Sequence, residues 1–173
     1  MNLREKAKKI KLLILDVDGV LTNGKIIFDE NGKQLKFFDV QDGLGVVLLR
    51  RAGIKTIIIS ARYSRTVNVR AKDMKVFKIY QNSEDKLHTY KKILKQLKLK
   101  ESQTCFVGDE LIDIPVLRRA GLAVAVANAA PEVKRVANYI TRKKGGNGAV
   151  REVIELILKS QYKWNKLISK YQK

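Results

Sequence analysis

The chain carries one cysteine, one histidine and no long apolar run, and each scarcity removes a class of function. Cys105 has no partner within the chain, so no internal disulfide can form. Its setting in TCFVGD marks an inert core thiol rather than a nucleophile. His88 has no second His or any paired Cys with which to hold zinc, and reads as part of a solvated helix face. No apolar stretch approaches the roughly 20 residues that span a bilayer. The N-terminal run, Ile10 to Leu15, is too short for a secretory leader and ends on Asp16. A cytoplasmic protein without a membrane partner is the expectation. Repeats, low-complexity tracts and interdomain linkers are missing too, so residues 1–173 read as a single domain large enough to bury a core.

Acids are the other scarcity: 17 against 36 lysines and arginines, a net charge of +19. That excess invites a nucleic-acid reading. Readers of bases and phosphates favour clustered arginine forks, whereas most of these cations are lysines scattered along the whole chain. Diffuse lysine fits a solvated basic surface, and nucleic acid is not the expected partner.

What is present is an alternation. Short β-branched runs at Ile10–Leu15, Ile54–Ile59, Val76–Tyr80, Thr104–Val107 and Ala123–Ala127 are separated by helical stretches. The helices are placed near Leu44–Arg51, Ser64–Lys72, Glu84–Leu97, Ile112–Ala120 and Glu132–Ala137. Apolar strands between amphipathic helices predict an α/β, doubly wound parallel sheet covered on both faces. One segment breaks the rhythm. KIIFDENGKQLKFFD, residues 25–39, has two β-rich runs around Glu30-Asn31-Gly32 and predicts a β-hairpin. It follows the first strand directly, and sites in open parallel sheets form beyond the carboxyl ends of strands, so the hairpin should stand over one as a flap.

The first strand runs into LLILDVDGVLTNG, two aspartates two positions apart and then a glycine that permits an abrupt turn. Asp16 and Asp18 can therefore face one site. Taken alone, D-x-D is usually a strand or turn cap. A calcium loop is excluded, because it wants Asp or Asn at Val20, Gly at Leu21 and Glu at Ile27. DGLG lacks the third glycine and the preceding core strand of a dinucleotide fingerprint. Other strand ends strengthen the case: TIIIS ends in Ser60, NSEDKL places Lys86 at the head of a helix, and CFVGDELID adds Asp109, Glu110 and Asp113. A nucleophile, a hydroxyl, a cation and further acids at successive strand ends form one mechanism. A hard divalent cation, Mg²⁺, would neutralise Asp16 and Asp109. Asp16 would attack phosphorus, while Ser60 and Lys86 hold the phosphoryl oxygens. Asp18 would protonate the leaving alcohol and later activate water.

These four segments resemble the motifs of the haloacid dehalogenase-like phosphatases. More closely, DVDGVLTNG, FFDVQDGLGVVLLRRAGI, IIISAR, VGDELIDIPVL and GGNGAVREV resemble the 3-deoxy-D-manno-octulosonate 8-phosphate phosphatase family across roughly residues 10–158. The resemblance implies a capless Rossmann-like fold, Mg²⁺ dependence and a homotetramer. It also implies release of phosphate from an eight-carbon sugar acid in lipopolysaccharide core synthesis. By position it makes Asp16 the nucleophile and Asp18 the acid/base, places both with Asp109 at the metal, and leaves Glu110 and Asp113 supporting them. Ser60 and Lys86 fall at the phosphate. The substrate segment falls on Asp39, Val40, Gln41, Asp42 and Gly43, with Asp18, Arg62, Arg70 and Lys86 as further contacts. A carboxylate on the substrate makes physical sense of the two arginines.

The chain departs from the family pattern at Gln41, Ala61, Glu110 and Asn147, while the catalytic acids are intact. Within the resemblance these departures leave a nine-carbon sugar acid phosphate as an alternative substrate, and the residues by themselves leave two further readings, a nucleic-acid end phosphatase and a non-enzymatic phosphoacceptor switch. The connections after Asp18 and Ser60 are too short to build an independent cap. Apolar Ile26, Ile27, Phe37 and Phe38 on a lone hairpin would expose a patch that a closed homo-oligomer could cover. In the C-terminal tail, 145–173, KKGGNGAV alone reads as a flexible helix entry, while the resemblance puts it near a neighbouring subunit's site. Trp164, Leu167, Ile168 and Tyr171 at helical spacing predict a helix docked on the protein.

Overall fold

The computed structural model describes residues 1–172. The elements run α1 (Leu3–Lys8), β1 (Leu12–Leu15), β2 (Ile27–Phe28), β3 (Gln34–Leu35), α2 (Val40–Arg51), β4 (Lys55–Ile59), α3 (Arg65–Asp73), β5 (Lys78–Tyr80) and α4 (Lys86–Leu97). They continue with β6 (Thr104–Gly108), α5 (Ile114–Leu117), β7 (Leu122–Ala125), α6 (Pro131–Val136), β8 (Tyr139–Ile140), α7 (Ala149–Ser160) and α8 (Trp164–Ile168). Six strands form one parallel sheet in the order β5-β4-β1-β6-β7-β8, the arrangement the alternation predicts. Every residue of β1, β6 and β7 is buried, because helices cover both faces. Helices α1, α2 and α7 pack together, and α4, α5 and α6 form a second group. No helix among the described residues is long and apolar enough to cross a membrane.

The hairpin stands outside this sheet. Strands β2 and β3 pair antiparallel, Ile27 with Leu35 and Phe28 with Gln34, and no other strand among the described residues extends the ladder. Its turn is held by Asp29, whose carboxylate accepts from the backbone N–H groups of Asn31 and Lys33. Ile26 and Phe37 are exposed, while Phe38 packs on the core.

Three elements escaped the sequence reading. Helix α1 starts in a capping box made by Asn2 and Glu5, a signal that was present in NLRE. Helix α7 buries Val150, Val153, Ile154, Ile157 and Leu158 completely, at helical spacing. Strand β8 is two residues long, too short for any periodicity to show. The helix expected over Ile112–Ala120 is shorter: a 3₁₀ turn over Leu111–Asp113 precedes α5, and Gly121 closes the segment by donating to the Glu101 carbonyl. Strand β5 begins at Lys78, since the Val76 N–H closes the end of α3 on the Ala71 carbonyl. Helix α8 docks Trp164 and Leu167 on the core, with Arg151 and Lys159 over the indole at 5.0 and 5.3 Å.

Candidate active site

Three neighbouring strands deliver the central side chains. Strand β1 lies between β4 and β6, so Asp16, Ser60 and Asp109 project from adjacent carboxyl ends. The ladder continues one residue past β1, where the Asp16 N–H donates to the Val107 carbonyl at 3.1 Å. The chain then turns at Gly19, whose φ of +92° is open to glycine at little cost. A side chain there would also collide with Asp109, since a Cβ would lie 1.9 Å from its Oδ2.

Lys86 opens α4 and is buried. Its ammonium lies 2.8 Å from Asp16 Oδ1 and 2.6 Å from Asp113 Oδ1. Asp113, wholly buried, spends its other oxygen on the backbone N–H groups of Asp109 and Glu110, at 2.9 and 3.2 Å. Asp113 thus orients the Asp109 loop and the lysine together. The hydroxyl of Ser60 accepts from the Arg62 N–H at 3.2 Å, which leaves its own proton free to donate. Asp16, Asp18, Ser60, Arg62, Lys86 and Asp109 all line one cavity of about 220 Å³, with Glu110 and Ala61 at its edge.

Oxygens of Asp16, Asp109 and Asp113 lie within 4.8 Å of one another. Burial raises Asp16 to about 6, with Asp113 adding to the rise and Lys86 opposing it. Burial, then repulsion from Asp16 and Asp113, raises Asp109 to about 8. One lysine therefore does not balance this cluster, and Asp109 Oδ1 is buried without a partner. An all-oxygen donor set short of positive charge fits a hard divalent cation. The carboxylate of Asp18 is not part of this convergent set. It is turned to Lys36, which reaches in from the end of β3 and pairs with Asp18 Oδ1.

The remaining sequence candidates form a second group, around the start of α2, and none of them lines the cavity. Asp39 caps α2 by accepting from the Gln41 and Asp42 N–H groups. Asp42 is buried and accepts from the Arg151 N–H at 2.7 Å, tying α2 to the first turn of α7. Burial raises its pKa to about 6 against that hydrogen bond. Arg70 donates to the Asp39 carbonyl at 2.8 Å, lies over Gly43 and pairs with Asp73. Val40 is exposed, and Gln41 accepts from Lys143 at 3.2 Å.

The glycine-rich segment of the tail seats on its own subunit's catalytic turn. Gly145 donates to Asn128 Oδ1 at 2.6 Å, Asn128 donates to the Gly19 carbonyl at 3.1 Å, and Gly146 donates to the Val20 carbonyl at 3.0 Å. A Cβ at Gly145 would lie 1.7 Å from the Gly19 carbonyl oxygen, so only glycine permits this approach. Sequence reasoning missed Lys36 and Asn128. Lys36 is one lysine of many, and Asn128 falls in a loop with no motif of its own.

Comparison with known proteins bears on this geometry. Residues 53–154 match the haloacid dehalogenase-like hydrolase family. A 3-deoxy-D-manno-octulosonate 8-phosphate phosphatase from Yersinia pestis is 43% identical over 159 residues, 92% of this chain and 85% of the relative. The crystal structure of the enzyme of that name from Moraxella catarrhalis, in complex with magnesium ion, phosphate ion and KDO, superposes with a TM-score of 0.96. It is 43% identical, and the match covers 98% of this chain and 97% of that one. A cobalt-bound deoxy-D-mannose-octulosonate 8-phosphate phosphatase from Haemophilus influenzae superposes with a TM-score of 0.87 at 35% identity, covering 91% and 92%.

Proposed function

We infer the reaction from the family to which the chain belongs, the 3-deoxy-D-manno-octulosonate 8-phosphate phosphatases of the haloacid dehalogenase-like hydrolases. It releases inorganic phosphate from 3-deoxy-D-manno-octulosonate 8-phosphate, leaving the free sugar acid for lipopolysaccharide core synthesis. The observation that carries this reading is the Asp16 carboxylate, seated at the end of the central strand with Lys86 at 2.8 Å and the Ser60 hydroxyl across the same cavity.

Asp16 and Asp109 would hold Mg²⁺, which when bound supplies positive charge to the buried acids and to the phosphate. An oxygen of Asp16 attacks phosphorus, and the bond from phosphorus to the sugar oxygen breaks. Asp18 gives the leaving oxygen its proton, so the sugar departs as an alcohol. The aspartyl phosphate is then attacked by water, whose proton returns to Asp18, and the bond from phosphorus to Asp16 breaks. Ser60 and Lys86 bind the remaining phosphoryl oxygens throughout, and Asp113 keeps Lys86 aimed. Arg62, at the cavity wall, meets the substrate's anionic far end. Arg70 acts by fixing Asp39 where the flap joins α2.

A cavity of about 220 Å³ is small against ordinary ligand sites and accommodates the phosphate end of such a substrate. The flap and the start of α2 carry exposed apolar side chains at Ile26, Phe28, Phe37 and Val40. Both features support a homotetramer in which neighbours wall the sugar site. One continuous core supports a single phosphatase domain, and a sugar phosphate bearing both a carboxylate and a phosphate, which does not cross membranes unaided, supports a cytoplasmic location. A nucleic-acid end phosphatase would want its cations around the nucleophile. The lysine-lined hollows lie at the other end of the sheet.

The test is phosphate release, with Mg²⁺ present, from a panel of phosphorylated sugars, sugar acids, nucleotides and oligonucleotide ends. The eight-carbon sugar acid phosphate should show the highest kcat/KM. Preference for a nine-carbon acid or an oligonucleotide would replace the substrate, and one phosphorylation without turnover would replace the reaction class.

A further inference from the structure

Each of the two catalytic carboxylates has its own lysine, and the second of these lies on the flap. We propose that Lys36 is a positioning residue that aims Asp18 at the leaving oxygen of the substrate; this rests on the phosphatase reading above. Lys36 follows β3 directly, between Leu35 and Phe37, both of which face solvent. Its own side chain points the other way and is only 3% exposed, a placement that a lysine accepts only with a charged partner. That partner is Asp18 Oδ1.

The assignment follows from what else surrounds Asp18. Lys86 is occupied by Asp16 and Asp113, at 2.8 and 2.6 Å, and does not reach Asp18. Among the described residues, no other side chain or backbone N–H donates to the Asp18 carboxylate. It is a quarter exposed and sits on the turn beyond β1, where a short side chain with no partner would sample several rotamers. With Oδ1 held by the ammonium, one rotamer of this cavity-lining side chain is selected and Oδ2 is left unpaired by Lys36. Proton transfer to a leaving group depends steeply on such aim. The flap itself is a two-residue ladder, too small to be rigid alone, so the same contact links flap docking to acid alignment.

A lysine that merely tethers the flap, or one that binds a substrate anion, gives a different kinetic signature. The test compares the sugar acid phosphate, whose alkoxide must be protonated on departure, with 4-nitrophenyl phosphate, whose phenolate leaves without help. Lys36→Met should lower kcat on the sugar phosphate by about 30- to 100-fold, no more than the lower end of what general acid catalysis contributes because Asp18 itself remains, and change the aryl phosphate by less than about threefold. The KM for the sugar phosphate should stay within about threefold, and Lys36→Arg should recover most of kcat. Lys33→Met, on the exposed turn of the same hairpin, should match the wild type on both substrates. Equal losses on the two substrates would make Lys36 a flap tether and overturn the proposal. A raised KM with unchanged kcat would make it a substrate ligand and overturn it equally. If Lys36→Met does not fold, Lys36→Gln carries the same comparison, and failure of both to fold would make Lys36 a residue of the fold alone. Should the wild type turn over a different alkyl phosphate, the substrate assignment fails, but the ratio of alkyl to aryl turnover still decides the role of Lys36.

Discussion

At the carboxyl end of the sheet, three carboxylates converge within 4.8 Å around one buried lysine. At the amino end, two hollows of about 530 and 590 Å³ are lined by Lys8, Lys9, Lys11, Lys55, Lys72, Lys75, Lys100 and Lys163, with no acid among their lining residues. Both ends concentrate like charge, but only one has buried it. Desolvation raises the proton affinity of Asp16 and Asp109 and makes that end hungry for a cation. The lysines of the other end keep their water, and their mutual repulsion is weak and open to screening by salt. Hollow size is therefore a poor guide to chemistry here. The smaller cavity does the work because its charges have nowhere else to go. The +19 net charge belongs to the surface, and the reaction depends on a few residues of the opposite sign.

The comparison breaks most visibly at the nucleophile. Asp16→Asn should lower kcat by about 10³-fold or more, since an amide oxygen neither attacks phosphorus competently nor holds a divalent cation well. The same change removes a buried charge, so the metal-free variant should melt no lower than the wild type by calorimetry. Near-normal turnover would displace Asp16 from its role.

Gly145→Ala comes next. Its Cβ would be driven to 1.7 Å from the Gly19 carbonyl oxygen, a contact with backbone that cannot rotate away. A loss of about 1–3 kcal/mol in chemical denaturation, as for other overpacked sites, should accompany a roughly tenfold loss of kcat/KM. Loss of stability with full activity would separate the tail loop from the catalytic turn.

Acidity sharpens the contrast further. Asp109 and Asp16 are raised to about 8 and about 6 in the folded chain, above their unfolded value of 3.8. Folding therefore takes up protons, and stability withheld above pH 8 returns as the pH falls through 8 and then 6. Without metal, Tm should rise by several degrees between about pH 8.5 and 5.5. Saturating Mg²⁺ needs the ionised acids, so it should stabilise most at the alkaline end and flatten or invert the trend. A metal-free Tm that fell with pH would show the acids already neutralised.

The smallest effect belongs to the amino end. Lys11→Gln with Lys100→Gln should raise Tm by about 1–3 °C in low salt and by nothing measurable in 0.5 M salt. The kcat/KM should not change. A loss of activity there would mean that the two ends communicate.

What could be read from the chain depended on how local the signal was. Strands β1, β4, β6 and β7 are continuous apolar runs, and the acids, Ser60 and Lys86 sit where those runs stop, so the sheet and its chemistry were visible together. Helix α7 is also written in the chain, since Val150, Val153, Ile154, Ile157 and Leu158 recur at helical spacing, behind glycines that read as a flexible entry. Lys36 was not legible at all. Nothing distinguishes it from Lys25 or Lys33 in composition, and its burial arises only when the hairpin folds back over Asp18. The segment 39–43 reads in the sequence as a substrate contact, whereas the duties of Asp39 and Asp42 as helix and backbone acceptors come from contacts with α2 and with Arg151, more than a hundred residues away. Convergence over such distances leaves no periodic trace.

The register of the three central strands has a consequence for how this protein can change length. Leu15 stands opposite both Ile58 and Val107, so Ser60 and Asp109 each follow their strand one residue beyond the level of Asp16, on neighbours about 4.8 Å to either side. That interval is stored in backbone ladders and not in any connection. Residues can be added at the hairpin turn around Gly32, or between β5 and α4, without altering it. Removing one residue from within β1 would instead slide Asp16 by about 3.3 Å and turn it to the opposite face. Insertions and deletions in this chain should thus be graded by whether they fall between strands or inside them, whatever their size.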